Sequence, residues 1–164
     1  MYSWDWGQIQ CIGYIGSMLY TIDNNLLPSY VTIVKDVESD DYSIHVTRDF
    51  APGDVIFENS ILHIHNDSTI HMKVNGEYVV LDVLMHTVNR KTYREFFYFD
   101  SFTNHSCDPN AMMMYTSPTT CKMVALKHIG AGEEMTNDYT AFDQDNDAEL
   151  FECRCNAINC KKFI

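Results

Sequence analysis

Cys153, Cys155 and Cys160 crowd the end of the sequence as Cys-x-Cys-x4-Cys. Near neighbours rarely meet the demanding geometry of a disulfide, so cysteines at this spacing suit a shared metal better. A metal held there ties the tail to whatever supplies its fourth ligand. The sequence has six cysteines, and in a secreted protein an even count can mean a disulfide framework. The close spacing of these three speaks against that reading.

The chain has 164 residues, the length of one domain. With 46% hydrophobic and 13% aromatic residues it can bury a core and is not disordered. Lys and Arg number 11 against 23 Asp and Glu, a net charge of −12. That balance argues against a general nucleic-acid surface, which needs positive charge to release counterions. It suits a basic, lysine-containing protein or peptide drawn in by long-range attraction. No apolar run reaches the roughly 18 residues of a membrane helix. The first basic residue is Lys35, so Ile9–Ile22 lacks the basic start of a secretory signal. These features read as an intracellular chain with no membrane segment.

Short strands dominate the pattern. Residues 1–30 show no clean period. Val31–Val37, Ser43–Thr47, Val55–Glu58 and Ile61–His65 read as strands, with a turn at Ala51-Pro52-Gly53-Asp54. Asn75-Gly76 between Thr69–Val74 and Glu77–Val83 predicts a hairpin. Val83–Phe97 is the best helix candidate, because Leu84, Val88, Lys91 and Glu95 recur at helical spacing without Pro or Gly. Ala111–Tyr115, Lys122–Leu126 and Glu134–Tyr139 read as strands, and Ala141–Glu149 as an acidic loop or frayed helix.

Several signatures of chemistry are absent: Gly-x-Gly-x-x-Gly opening a helix, a phosphate-cradling Gly-x4-Gly-Lys-Ser/Thr, and Gly-x-Ser-x-Gly. Asp143–Asp147 imitates a calcium loop, but Ala148 and Arg154 stand where Gly and Glu are needed, so a solvated acidic loop is the better reading. His63, His65 and His71 read as strand histidines rather than ligands. Met112-Met113-Met114 reads as core or channel filler.

Three blocks remain. Asn104-His105-Ser106-Cys107-Asp108-Pro109-Asn110 is a dense polar block, and Gly132-Glu133-Glu134-Met135-Thr136-Asn137-Asp138-Tyr139 follows it. Phe151-Glu152-Cys153-Arg154-Cys155 through Cys160 and Phe163 closes the sequence. In this order they resemble the signatures of the SET-domain protein-lysine methyltransferase family with its post-SET segment. Thr47–Ile56 is a weaker fourth match. The resemblance covers about residues 31–164. It implies a mostly β fold, several small curved sheets around a pseudoknot with few short helices. It divides the chain into an N-terminal segment of unclear role (1–30), the SET domain (31–142) and a post-SET zinc-binding segment (143–164).

The resemblance also implies S-adenosylmethionine as methyl donor and a protein lysine as acceptor, with a histone tail as one candidate substrate. A histone substrate would place the protein in the nucleus, any other in the cytoplasm. Tyr139 matches the catalytic tyrosine. Asn104, His105 and Tyr139 match cofactor contacts, to which Ser43, Phe151 and Phe163 are added as candidates. Cys107, Cys153, Cys155 and Cys160 match the ligands of one structural zinc. Cys11 and Cys121 are left as buried apolar residues. Two departures stand out. The family's Gly-x-Gly aligns with Asp41-Tyr42-Ser43, which has neither glycine, and Asn137 stands where the family usually has Phe or Tyr. The missing glycines favour an alternative, a catalytically silent module of this fold that binds a peptide or protein partner.

Overall fold

The structure is a computed structural model. It describes residues 2–5, 9–14, 17–23, 28–38, 41–64, 69–74, 77–81, 94–97, 102–117, 120–141 and 152–164, with the backbone alone described for residues 2–23 and 59–97. The strands in chain order begin with β1 (Tyr2–Asp5), β2 (Ile9–Tyr14), β3 (Ser17–Asp23), β4 (Val31–Lys35) and β5 (Tyr42–Val46). Next come β6 (Val55–Ile64), β7 (Thr69–Val74), β8 (Glu77–Leu81) and β9 (Arg94–Phe97). The last are β10 (Asn104–His105), β11 (Ala111–Ser117), β12 (Thr120–Ala125) and β13 (Thr136–Asn137), with a 3-10 turn at Tyr139–Ala141. Among the described residues no helix is long and apolar enough to cross a membrane.

The chain forms two compact units. One comprises Met1–Leu27 and Ile61–Ser101. It contains a sheet in the order β1-β2-β3-β7-β8, with β3 and β7 parallel and the other pairs antiparallel. The end of β6, Ile61–Ile64, pairs with β9. Residues 1–30, unreadable by period, therefore hold three strands. Ile9, Cys11 and Ile12 break strict alternation and Gly13 offers no side chain, so the strand signal is weak. The hairpin around Asn75-Gly76 is present as β7–β8. The helix expected over Val83–Phe97 is corrected at its end, since Arg94–Phe97 is strand. Two adjacent aromatics, Phe96 and Phe97, favour a strand there. The earlier part of that expectation, and the acidic stretch after Ala141, lie outside the described residues.

The other unit comprises Pro28–Ser60 and Phe102–Ile164. Antiparallel β4 and β5 make one small sheet, and β11, β12 and the start of β6 make another. Its core is Ile33, Ile44, Val46, Phe50, Ile56, Met113, Met123, Ile129 and Met135, all 4% exposed or less. Alternation explains the methionine run: Met113 points into this core, while Met112 and Met114 are exposed, which corrects their reading as filler. Cys121 is buried as expected.

The segment after β12 stitches the small sheets together. Phe50 and Ile129 exchange backbone hydrogen bonds of 2.9 and 3.0 Å. The Gly132 N–H donates to the Val46 carbonyl at 2.7 Å, and the Met135 N–H to that of Ile44 at 2.8 Å. Gly132 has φ +87°, a conformation that disfavours a side chain, which is why glycine starts this block. Gly53 has φ +91° in the turn before β6, where the Asp54 carboxylate accepts from the Ala51 N–H at 2.8 Å.

Candidate active site and cysteine cluster

Two short strands carry the site. β10 and β13 pair in parallel, Asn104 opposite Thr136 and His105 opposite Asn137. A pair of two-residue strands is too short to stand alone. Asn110 supplies the missing ties. Its Nδ2 donates to the Glu134 carbonyl at 2.8 Å, and its Oδ1 accepts from the Thr136 N–H at 2.8 Å. Asn110 is 8% exposed, so these bonds are shielded from water. The sequence flagged Asn110 only as the end of a motif; its position after a Pro-containing turn is the signal for this role.

Against this pair lies an open cavity of about 710 Å3, a size usual for small-molecule sites. Its walls include Tyr42, Ser43, Asn104, His105, Glu134, Tyr139 and the backbone stretch 152–156. Asp36, Asp41, Glu134 and Glu152 line it too, against one cation, Arg154, which pairs with Glu152 at 2.8 Å. The surplus of carboxylates suits a cationic ligand. Of the residues singled out from the sequence, Ser43, Asn104, His105 and Tyr139 thus share one cavity. Phe163 is 62% exposed and does not itself line the cavity, although its backbone bridges the lining residue Glu152, and Phe151 lies outside the described residues.

Tyr139 is held at both ends. Its hydroxyl donates to the Thr103 carbonyl at 2.7 Å, and its N–H donates to His105 Nδ1 at 3.2 Å. Asn104 Nδ2 donates to Glu134 Oε1 at 2.7 Å. Ser43 Oγ lies 3.0 Å from His45 Nε2, whose Nδ1 lies 2.9 Å from the Gly132 carbonyl. A carbonyl only accepts, so His45 carries its proton on Nδ1 and Ser43 donates to Nε2. Tyr42, between the two positions of the absent glycines, packs edge-on against Phe102 with centroids 5.8 Å apart.

Burial pushes the His105 imidazole below its ordinary pKa, Asp138 pulls the other way, and Lys161 adds to the lowering. Burial also works to raise the Asp138 carboxyl, yet hydrogen bonds from Thr140 and the nearby Lys161 and His105 outweigh it and hold the pKa below the usual value. Lys161 Nζ reaches Asp138 at 3.5 Å and Thr140 Oγ1 at 2.8 Å, tying the tail to the tyrosine segment.

Three of the four cysteines expected to share a metal converge, Cys107, Cys153 and Cys155, and His105 rather than Cys160 joins them in that group. Cys107 Sγ and Cys153 Sγ are 3.8 Å apart, too far for a disulfide. Two thiolates on one tetrahedral zinc, each at about 2.3 Å, stand about 3.8 Å apart. Sγ of Cys107, Cys153 and Cys155 and a ring nitrogen of His105 all lie within 4.8 Å of one another. Cys160 approaches from the tail, its Sγ 3.7 Å from the Cys153 carbonyl. Backbone N–H groups point at the sulfurs: Cys107 to Cys155 at 3.4 Å, Lys161 to Cys107 at 3.3 Å and Lys162 to Cys160 at 3.4 Å. Asn156 and Lys162 adopt positive φ, 56° and 70°, in turning the tail around the sulfurs. Burial drives the Cys153 thiol up to about 12, whereas the N–H groups of Cys107 and Ala157 hold Cys155 down to about 6. A soft divalent cation would take all the sulfurs as thiolates, so the donors fit zinc.

The SET domain family profile matches residues 41–140, more than half of the chain. The H3 lysine-4 specific histone-lysine N-methyltransferase of Saccharomyces cerevisiae is 38% identical over 66 residues, which are 38% of this chain and 6% of that protein. The chain therefore spans a small fraction of this curated relative. Two crystal structures share the fold. KRYPTONITE, solved in complex with mCHG DNA and SAH, matches at a TM-score of 0.51 and 17% identity, over 81% of this chain and 28% of that one. A Plasmodium falciparum protein described as a candidate histone methyltransferase matches at 0.50 and 16%, over 69% and 95%. With the paired motif strands, the mostly β architecture and the match over residues 41–140, this chain belongs to the SET domain family.

Proposed function

We propose that the protein is a protein-lysine N-methyltransferase that uses S-adenosylmethionine. The observation that carries this reading is the meeting of Asn104, His105 and Tyr139, from two distant segments, in one cavity beside the cysteine cluster. When bound, S-adenosylmethionine supplies a methyl group activated by a positive sulfonium. The carboxylates of Asp36, Asp41 and Glu134 suit that cationic ligand, and Asn104 and Ser43 offer it polar contacts.

A lysine of ordinary pKa, about 10.4, is an ammonium without a free lone pair at neutral pH. Freeing the amine at pH 7 costs roughly 4–5 kcal/mol, at 1.36 kcal/mol per pH unit. A desolvated channel lowers that cost. Tyr139 then orients: its hydroxyl, fixed on the Thr103 carbonyl, keeps an oxygen lone pair to face the reacting groups. Cys107, Cys153, Cys155 and Cys160 would hold a structural zinc that closes the tail over the cavity. The relatives named as histone methyltransferases and the net charge of −12 support a basic histone tail as substrate and a nuclear location. The same charge speaks against direct DNA contact. Asn137, 3% exposed, turns its Oδ1 back onto the Asp138 N–H at 2.9 Å. Being smaller than an aromatic, it favours di- or trimethylated product.

The competing reading, a silent module, rests on Asp41 and Ser43 standing where the family has glycines. One experiment separates them. Zinc-loaded protein is incubated with radiolabelled S-adenosylmethionine and core histones, and the products are read by mass spectrometry. Transfer by the wild type that falls roughly 100-fold or more in Tyr139→Phe is expected, the scale of losing one oriented active-site hydroxyl. Peptide binding without transfer would establish the silent module.

A further inference from the structure

His105 touches both halves of the site. Its side chain is 5% exposed. Nε2 lies 3.2 Å from Cys107 Sγ, and Nδ1 lies 3.2 Å from the Tyr139 nitrogen. The ring also packs on the Tyr139 ring, with centroids 5.3 Å apart. Asp138 Oδ1 is 3.7 Å from Nδ1, beyond hydrogen-bond reach.

Proximity alone allows two roles: a fourth metal ligand through Nε2, or a donor to the Cys107 sulfur. The Tyr139 contact decides between them. A backbone N–H only donates, so Nδ1 accepts and carries no proton. A metal-bound histidine does the opposite, donating its other N–H to an acceptor. Were Nε2 also on the metal, the ring would have lost both protons. With the proton on Nε2, both contacts become ordinary hydrogen bonds. The distance agrees. A nitrogen and a sulfur on one tetrahedral zinc stand about 3.6 Å apart, from bonds of about 2.05 and 2.3 Å. The 3.2 Å observed is shorter and suits N–H···S.

We propose that His105 is a positioning residue that joins the cysteine cluster to Tyr139, donating from Nε2 to the Cys107 sulfur and accepting at Nδ1 from the Tyr139 N–H, while Cys160 completes the ligand set. Two consequences follow in opposite directions along the ring. The donor stabilises thiolate charge on Cys107 and so strengthens metal binding. The acceptor fixes the backbone of Tyr139, so an ordered cluster holds the tyrosine in place. The metal thereby acts on the tyrosine without touching substrate. This role builds on the function proposed above, yet its geometry does not require transfer to occur.

The two nitrogens can be tested apart. The amide nitrogen of glutamine reaches the place of Nε2, and the amide oxygen of asparagine reaches that of Nδ1. Zinc affinity is measured by chelator competition, and Tyr139 amide exchange by NMR on zinc-loaded protein. His105→Asn is expected to weaken zinc binding about tenfold or more while the Tyr139 amide stays protected. His105→Gln is expected to keep zinc affinity within a few-fold while that amide exchanges at least tenfold faster. Cys160→Ser is expected to lose more affinity than either. Nitrogen-15 shifts of the zinc-loaded wild type give a readout without substitution, with the His105 proton expected on Nε2. A metal-shifted, unprotonated Nε2, or zinc binding lost in both His105 variants but kept in Cys160→Ser, overturns the proposal. So do two variants that match the wild type in both readouts. Absent methyl transfer with the two-way split intact removes the functional reading and leaves the bridge.

Discussion

In residues 1–27 and 61–101 most described strands pair with sequence neighbours: β1 with β2, β2 with β3, β7 with β8, while β3–β7 and β6–β9 join more distant segments. In residues 28–60 and 102–164 the ties that matter reach much further. His45 meets Gly132 across 87 residues, Asn104 meets Tyr42 across 62, and Cys107 meets Lys161 across 54. In the first unit the described ties are main-chain pairings. In the second, main-chain pairings are joined by side-chain and sulfur contacts. Breaking a backbone pairing is the direct test of the first unit, and removing single side chains is the direct test of the site unit.

The largest effect should come from the metal. Chelation of zinc-loaded protein, or Cys155→Ser, should abolish amide protection over residues 104–110 and 152–164, because structural zinc supplies on the order of 10 kcal/mol to such segments. Protection in β2, β3 and β7 should persist. Equal loss in both units would erase the contrast. The reverse experiment is Thr21→Pro. β3 lies between β2 and β7, and proline removes a ladder donor from an interior strand. A loss of about 2–4 kcal/mol in that unit, with zinc content unchanged, is expected from calorimetry and metal analysis.

Asn110→Ala comes next. It leaves the Thr136 N–H and the Glu134 carbonyl without these partners, at a cost of about 2–3 kcal/mol in denaturant unfolding. A neutral result would show that β10–β13 pairing holds without it. The smallest effect belongs to Asp138. Its folded pKa is depressed, so its contribution is present above the ordinary carboxylate value of 3.8 and is lost as pH falls through the folded one. Asp138→Asn should therefore lower neutral stability slightly, by what the depressed pKa contributes, and flatten the acid limb below about pH 4, where variant and wild type converge. An unaltered acid limb would remove Asp138 from the ties of the tail.

Motif residues were legible because their chemistry needs particular types. Asn104, His105 and Tyr139 were singled out by their match to the family's signatures, and the cavity brings them together. The convergence of Cys107 with cysteines 46 and 48 residues later followed from resemblance alone, since spacing says nothing about a distant partner. Strands with a turn between them, such as β7–β8, could be read from Asn75-Gly76. β1–β3 could not, because their alternation is broken, and Arg94–Phe97 was drawn into a helix by a period that tertiary pairing overrode. The histidine bridge was invisible because hydrogen-bond direction exists only in three dimensions.

The parallel pairing of β10 with β13 has a kinetic side. Parallel strands cannot zip from a tight turn. Asn104 must find its partner strand across about thirty residues, and that loop must close before any bond rewards it. Contacts of this kind slow folding and are made late. The pairing that sets Asn104 and His105 beside the Tyr139 segment is thus expected to form after the local hairpins. A chain that has folded only its hairpins lacks this pairing, and with it the wall that Asn104 and His105 give the cavity.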